Sequence, residues 1–244
     1  NELIYNSDSG AGIIENNSNV AGSLSLNAPN QLIETIKGTV VDIFGNILDY
    51  DKLLNVAKFF SDDVKLIEDA AQSFGGSFRD IPSGKLGDIS ILSFDPTKNL
   101  NNYGSGGMVL TDDIRIYEDL LNIRDNGKHD GHVNHGTNSK MSESDCAQML
   151  IKLKYFDEWQ RRRTEIAEFY NEHLIPYVDP IQPNEGVEHA WHKYVIRTLD
   201  RHRLQVYLAN SGIQTKIHYE VPLFEHELAF DYYNYARDIF RQGV

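Results

Sequence analysis

One cysteine in 244 residues, Cys146, excludes an intramolecular disulfide framework and suits a reducing compartment. No apolar run approaches the ~20 residues that cross a bilayer as a helix. The first residues, Asn1-Glu2-Leu3-Ile4-Tyr5, lack the basic and apolar blocks of a signal peptide, so a cytoplasmic location is expected. Basic residues are scarce. Lys and Arg number 23 against 36 Asp and Glu, a net charge of −13, which argues against a nucleic-acid or anionic-membrane partner. The same balance leaves a phosphate-bearing ligand open, because backbone amides and local dipoles hold phosphates without net charge. Internal repeats and low-complexity tracts are missing. What is present is a 41% hydrophobic content, enough for a core of one large domain or one and a half.

Residues 6–31, rich in Asn, Ser and Gly, read as short turns and weak strands. From Ile36 onward apolar runs alternate with helical patterns. Thr39-Val40-Val41-Asp42-Ile43 predicts a strand, residues 51–60 a helix capped by Asp49 or Asp51, and residues 64–69 a second strand. That β-α-β order argues a mostly parallel sheet of α/β class. Runs at 89–94 and 108–111 predict a further pair of buried strands, and residues 113–123 a helix. The strongest helix covers 142–174, with Cys146, Met149, Leu150, Leu153, Phe156, Trp159, Ile166, Phe169 and Leu174 at helical spacing. Ser142 with Asp145 forms a capping-box pattern there, Cys146 reads as core, and Arg161-Arg162-Arg163 as a solvated face. Beyond it, residues 193–197 and 214–219 read as strands flanking a helix at 201–210.

Chemistry concentrates around one turn. Phe94-Asp95-Pro96-Thr97-Lys98-Asn99-Leu100 places a lone lysine between two apolar runs, and Gly104-Ser105-Gly106-Gly107 follows. Desolvation in such a turn favours the neutral amine, the form that condenses with an aldehyde. Upstream, the strand ending Ile67-Glu68-Asp69 is followed by the small residues Ala70-Ala71. Ligands of open α/β sheets bind beyond the carboxyl ends of the strands. A carboxylate there suits the protonated pyridine nitrogen of pyridoxal phosphate. His129, His132 and His135 recur every three residues, a spacing that invites zinc. No cysteine lies nearby and Gly131 and Gly136 oppose a helix, so no metal is expected.

Glu68-Asp69-Ala70-Ala71-Gln72-Ser73, Gly84-Lys85-Leu86-Gly87-Asp88, the Lys98 turn and the glycine cluster together resemble the DegT/DnrJ/EryC1/StrS family of pyridoxal-phosphate-dependent sugar aminotransferases. Asn138-Ser139-Lys140-Met141-Ser142-Glu143, then Asp157-Glu158-Trp159 with Arg161-Arg162-Arg163, then Gly212-Ile213-Gln214-Thr215-Lys216-Ile217-His218-Tyr219 continue the resemblance in the family's order. It implies a fold type I α/β architecture: a mostly parallel sheet with helices on both faces and a smaller C-terminal α+β domain. Residues 1–140 would form a partial cofactor-binding domain, and residues 141–244 the linking helix and the small domain.

The resemblance further implies pyridoxal 5'-phosphate held covalently by Lys98, with Asp69 on the pyridine nitrogen, Gln72 beside the ring and Ser93 on the phosphate. Asn138 would reach the phosphate in a partner subunit of a homodimer. His192, His218 and Tyr219 would line the sugar-nucleotide mouth. The implied reaction moves an amino group from a donor, glutamate, to a nucleotide-linked keto-deoxysugar. The alternative is a non-catalytic homologue that keeps the fold as a partner subunit. Lysine at position 98 separates the chain from the family's dehydratase branch, where histidine takes that place. Departures are Ser105, where the family carries an acid, and Ser139-Lys140, which lacks the family's arginine and its bidentate contact. A family segment of about 100 residues, within the usual size of a domain, precedes the matching region and carries a phosphate cradle at a helix N-terminus. That segment and the family's last strand and helix are expected to be missing here.

Overall fold

The computed structural model describes residues 3–4, 38–60, 63–128 and 136–221. Residues 6–31 and the histidines 129, 132 and 135 lie outside the described residues. Two compact units are present, Asn1–Ile196 and Arg197–Val244.

The first unit is organised by a five-stranded sheet. Strand β1 (Leu3–Ile4) pairs with β2 (Gly38–Val41), β2 with β3 (Leu66–Asp69), and β3 with β6 (Ile89–Ser93), all parallel. Strand β7 (Gly107–Leu110) closes the order β1-β2-β3-β6-β7 as an antiparallel neighbour of β6. Between β3 and β6 the chain makes the small strands β4 (Ser77–Phe78) and β5 (Ile81–Pro82). With the later β9 (Val187–Glu188) they form a three-stranded antiparallel sheet. Strand β8 (Asp179–Pro180) precedes β9, and β10 (Ile196–Arg197) falls where the two units divide.

Helix α1 (Tyr50–Phe60) starts at Asp49, whose Oδ1 accepts the Lys52 N–H at 3.1 Å, which settles the cap in favour of Asp49. Its Tyr50 and Leu53 pack with Val40, Ile47, Leu48, Leu66, Phe78 and Leu86 into one core cluster. A second cluster joins the β6 side to the long helix α3 (Glu143–Leu174), through Ala70, Leu92, Phe94, Leu100, Met149 and Phe156. Phe156 meets the Phe74 ring at 4.9 Å between centroids. Because that contact helps tie α3 to the loop after Asp69, Phe156→Ala should destabilise the fold by about 3–5 kcal/mol, read as a lower urea midpoint. A loss below about 1 kcal/mol would show that this cluster is not the hinge of the fold.

Several sequence expectations change. In α3 only Met149, Phe156 and Ala167 are buried, a single strip down one side. Cys146 is exposed rather than core, and Leu150, Phe169 and Trp159 are exposed as well. The capping box is a variant: Ser142 Oγ accepts the Asp145 N–H at 3.1 Å, and the Asp145 carboxylate takes the Ser142 hydroxyl rather than the Ser142 N–H. Arg161 and Arg162 pair with Glu165 in solvent, whereas Arg163 is half-buried and donates to the Trp191 carbonyl at 3.2 Å. Strand β7 is largely exposed and β6 buries only Ser90 and Leu92, so the Lys98 turn joins one half-buried strand and one open one. Helix α2 (Ile114–Arg124), capped by Asp113, and helix α4 (Arg201–Asn210), capped by Asp200, fall where the pattern put them. Residues 214–219 form no strand among the described residues, and 193–197 contribute only the short β10.

Candidate active site

Parallel strands β2, β3 and β6 end at one edge of the sheet, and the chemistry gathers there. Asp69 is the last residue of β3, the middle strand of the five. Its Oδ1 accepts the N–H of Ala71 at 3.1 Å, which fixes the side chain against its own turn. Its Oδ2 takes no hydrogen bond from a described residue. Three residues on, Gln72 Oε1 accepts the Phe44 N–H at 3.0 Å. A backbone donor dictates which end of the amide is oxygen, so the Gln72 NH₂ is left as the outward donor. Phe44 (φ 62°) and Gly45 (φ 93°) both lie in the left-handed region, and this sharp turn ends β2 early. A side chain at Gly45 would sit 3.0 Å from the Ala190 Cβ and the His192 nitrogen.

On the neighbouring strand, Ser93 ends β6, and its Oγ accepts the Asp95 N–H over a long 3.4 Å. Its hydroxyl hydrogen therefore stays available to a ligand. The Lys98 turn begins at Asp95, whose Oδ1 accepts the N–H and the hydroxyl of Thr97 at 3.0 and 2.8 Å. Those two hydrogen bonds hold the Asp95 carboxyl below its ordinary value. The Lys98 N–H donates to the Asp95 carbonyl at 2.9 Å, and the half-buried Lys98 side chain forms no ion pair or hydrogen bond with a described residue.

Asn99, which the sequence reading passed over, pins this turn from behind. Its Nδ2 donates to the Ala190 carbonyl at 2.7 Å, and its Oδ1 meets His192 Nδ1 at 3.2 Å. Gln160 of α3 also donates to the Ala190 carbonyl, at 2.9 Å. His192 is buried in this cluster, against Asn99. Nearby His189 accepts the Trp191 N–H on Nδ1 at 2.8 Å, and burial pulls its pKa down to about 3, so it stays neutral. Asn138 stands apart from these groups. It is exposed, bridged by backbone to Asp125 in the loop before α3, where Lys140 donates to Asp125 at 2.8 Å. His218 and Tyr219 belong to the second unit, where their rings meet edge to face at 5.5 Å. No group of three or more His, Cys, Asp or Glu that could hold a metal occurs among the described residues.

The donor set fits pyridoxal 5'-phosphate. A carboxylate with one open oxygen ends β3, and an amine without an acid partner follows β6. A hydroxyl and an amide NH₂ share the same edge. Pyridoxal phosphate requires a partner for its ring nitrogen, an amine for its aldehyde and donors for its oxygens.

Comparison with known proteins gives the family. The family model described as "DegT/DnrJ/EryC1/StrS aminotransferase family" matches residues 32–242. The chain is 38% identical over 186 residues to the dTDP-3-amino-3,6-dideoxy-alpha-D-galactopyranose transaminase of Aneurinibacillus thermoaerophilus, covering 75% of this chain and 51% of that protein. It is 33% identical to the dTDP-3-amino-3,4,6-trideoxy-alpha-D-glucose transaminase of Streptomyces venezuelae, covering 75% and 49%. Among solved structures, a DegT DnrJ EryC1 StrS aminotransferase from Brucella abortus superposes with a TM-score of 0.73 at 31% identity, over 78% of this chain and 52% of that one. The chain thus spans about half the length of the curated relatives it matches. Its mostly parallel α/β sheet is that of the fold type I aminotransferases. The chain belongs to the DegT/DnrJ/EryC1/StrS aminotransferase family.

Proposed function

We propose that this chain carries the catalytic groups of a pyridoxal-phosphate-dependent aminotransferase that moves an amino group from glutamate to a nucleotide-linked keto-deoxysugar. The observation that carries the reading is the pairing of β3 with β6: Asp69 ends β3, and the Lys98 turn follows the end of β6. Bound pyridoxal phosphate supplies an electron sink for the bonds of the substrate's α-carbon. Lys98 would hold it through Nζ and would carry the proton that moves to and from that carbon. Asp69 offers its open oxygen to the ring nitrogen as a charged acceptor. Gln72 donates its NH₂ beside the ring, and Ser93 donates its hydroxyl to the phosphate.

Residues 1–140 would provide the cofactor-facing groups, and residues 141–244 the linking helix and small domain. The exposed Asn138 suits a contact made across a homodimer, on the phosphate of the partner subunit. The relatives' transaminase names support a sugar nucleotide, and a cytoplasmic enzyme fits that substrate. The test is incubation of the purified chain with pyridoxal phosphate, borohydride reduction and peptide mapping. Label on the peptide holding Lys98 is expected, and label elsewhere or none overturns the reading. Light scattering of the same sample should give twice the chain mass. A stable monomer with full activity would defeat the shared site.

A further inference from the structure

Directly behind Asp69 lies a buried polar chain that the reaction outlined above does not use. Asp42 and Glu68 are both 0% exposed, and no ion pair links either to a cation among the described residues. Two serines connect them. Asp42 Oδ2 and Ser73 Oγ are 3.0 Å apart, Ser73 Oγ and Ser83 Oγ 2.6 Å, and Ser83 Oγ and Glu68 Oε1 3.1 Å. Each of these three contacts needs one hydrogen, and the two hydroxyls supply only two. Without a third, two oxygen lone pairs would face each other in a dry interior, at a cost no native core retains. The third hydrogen must come from one of the carboxyl groups.

The remaining donors decide which. Glu68 also accepts the Gly84 N–H at 2.7 Å, the Leu86 N–H at 3.0 Å and the Ser90 hydroxyl at 2.6 Å. Glu68 is thus the richer acceptor of the two, and the extra hydrogen belongs on the carboxyl with fewer donors. Asp42 accepts the Leu48 N–H at 3.1 Å besides its contact with Ser73, and so meets fewer donors than Glu68. Around it stand Glu68, Asp69 and the phenol of Tyr50, whose buried hydroxyl lies beside the Asp42 carboxyl. Burial, then the negative charge of Glu68, push the Asp42 carboxyl well above its ordinary value.

The same segment grips the site. The Asp42 N–H donates to the Asp69 carbonyl at 3.2 Å, and the Phe44 N–H holds Gln72. Ser73 follows Gln72 in the same turn. We propose that Asp42 and Glu68 share one proton through Ser73 and Ser83, and that the neutral Asp42 is a positioning residue for Asp69 and Gln72. A neutral Asp42 adds no negative charge beside Asp69 at the ring edge, a consequence that rests on the pyridoxal-phosphate reading.

The proton itself is tested without cofactor. Difference infrared spectroscopy of the chain at neutral pH should show one buried protonated-carboxyl band that vanishes in Asp42→Asn. A wild-type protein without the band, or a band that survives in Asp42→Asn, overturns the proposal. Should Asp42→Asn not fold, Ser73→Ala removes the partner of that carboxyl and must shift the band; an unmoved band overturns it equally. Stability gives a second readout. The native fold binds the Asp42 proton more tightly than the unfolded chain, so this contribution is complete below about 3.8 and is lost as pH rises through the folded value. Asp42→Asn should flatten that slope, and an unchanged slope counts against the proposal. For the positioning role, the pH profile of kcat in the cofactor-loaded protein should lose its high-pH fall in Asp42→Asn, and a profile identical to wild type overturns that role. A protein that shows the band yet takes up no pyridoxal phosphate would refute the cofactor reading and leave the shared proton standing.

Discussion

Lys98→Ala should abolish borohydride-reducible attachment of pyridoxal phosphate and lower turnover by about 10⁴-fold, while the fold survives. The fold survives because the turn is not held by the lysine side chain. Its backbone is fixed by the Asp95 carbonyl at 2.9 Å, by the Asn102 N–H on Phe94 at 2.8 Å and by Asn99 on Ala190 at 2.7 Å. Truncation at Cβ removes none of these. Activity falls because two tasks end together. The covalent anchor is lost, and so is the amine that carries the substrate proton, a step worth about 10²–10⁴-fold alone. The measurement pairs borohydride reduction and peptide mapping with far-ultraviolet circular dichroism. A variant that still fixes the cofactor irreversibly on reduction, with the same spectrum of folded protein, would mean that another lysine is the anchor.

How much of this was readable in advance follows from distance along the chain. The Lys98 turn and the ends of β3 and β6 were legible because each is a contiguous run whose strand period and turn residues sit within about ten positions. The helix at 143–174 was legible as a helix, but its buried face was not. Its apolar residues encircle it, and only contact with Phe74 and Leu92 selects the strip that holds Met149 and Phe156. Cys146 and Phe169 obey the same period and end up in solvent. The polar scaffold was illegible for a stronger reason. Asn99 meets Ala190 across 91 positions, and Asp42 meets Ser73 across 31, so no local pattern marks either. Asn99 could have been suspected as the neighbour of Lys98, whereas Gln160 and Asp42 carry no sequence signal. Residues 214–219, read as a strand, form none among the described residues.

Asp69→Asn should leave the fold and cofactor uptake nearly intact and lower kcat by about 10²–10³-fold, the range seen when one preorganised electrostatic partner is removed. Asparagine keeps an Oδ1 that accepts the Ala71 N–H, now at 3.1 Å, so the turn after β3 has no reason to move. The Asp42 N–H still finds the Asp69 carbonyl, which is main chain and unaffected. What disappears is the charge. An amide offers the ring nitrogen a neutral contact, and a neutral hydrogen bond is roughly half as strong as a charge-assisted one. Asparagine at position 69 would hold a ring proton less firmly, which would weaken the electron sink the cofactor supplies. The loss should therefore appear in kcat, with little change in KM, because the ground state gains less from the ring charge than the transition state does. Turnover of Asp69→Asn within about threefold of wild type would sink the assignment, because such a change amounts to less than ~1 kcal/mol of transition-state stabilisation.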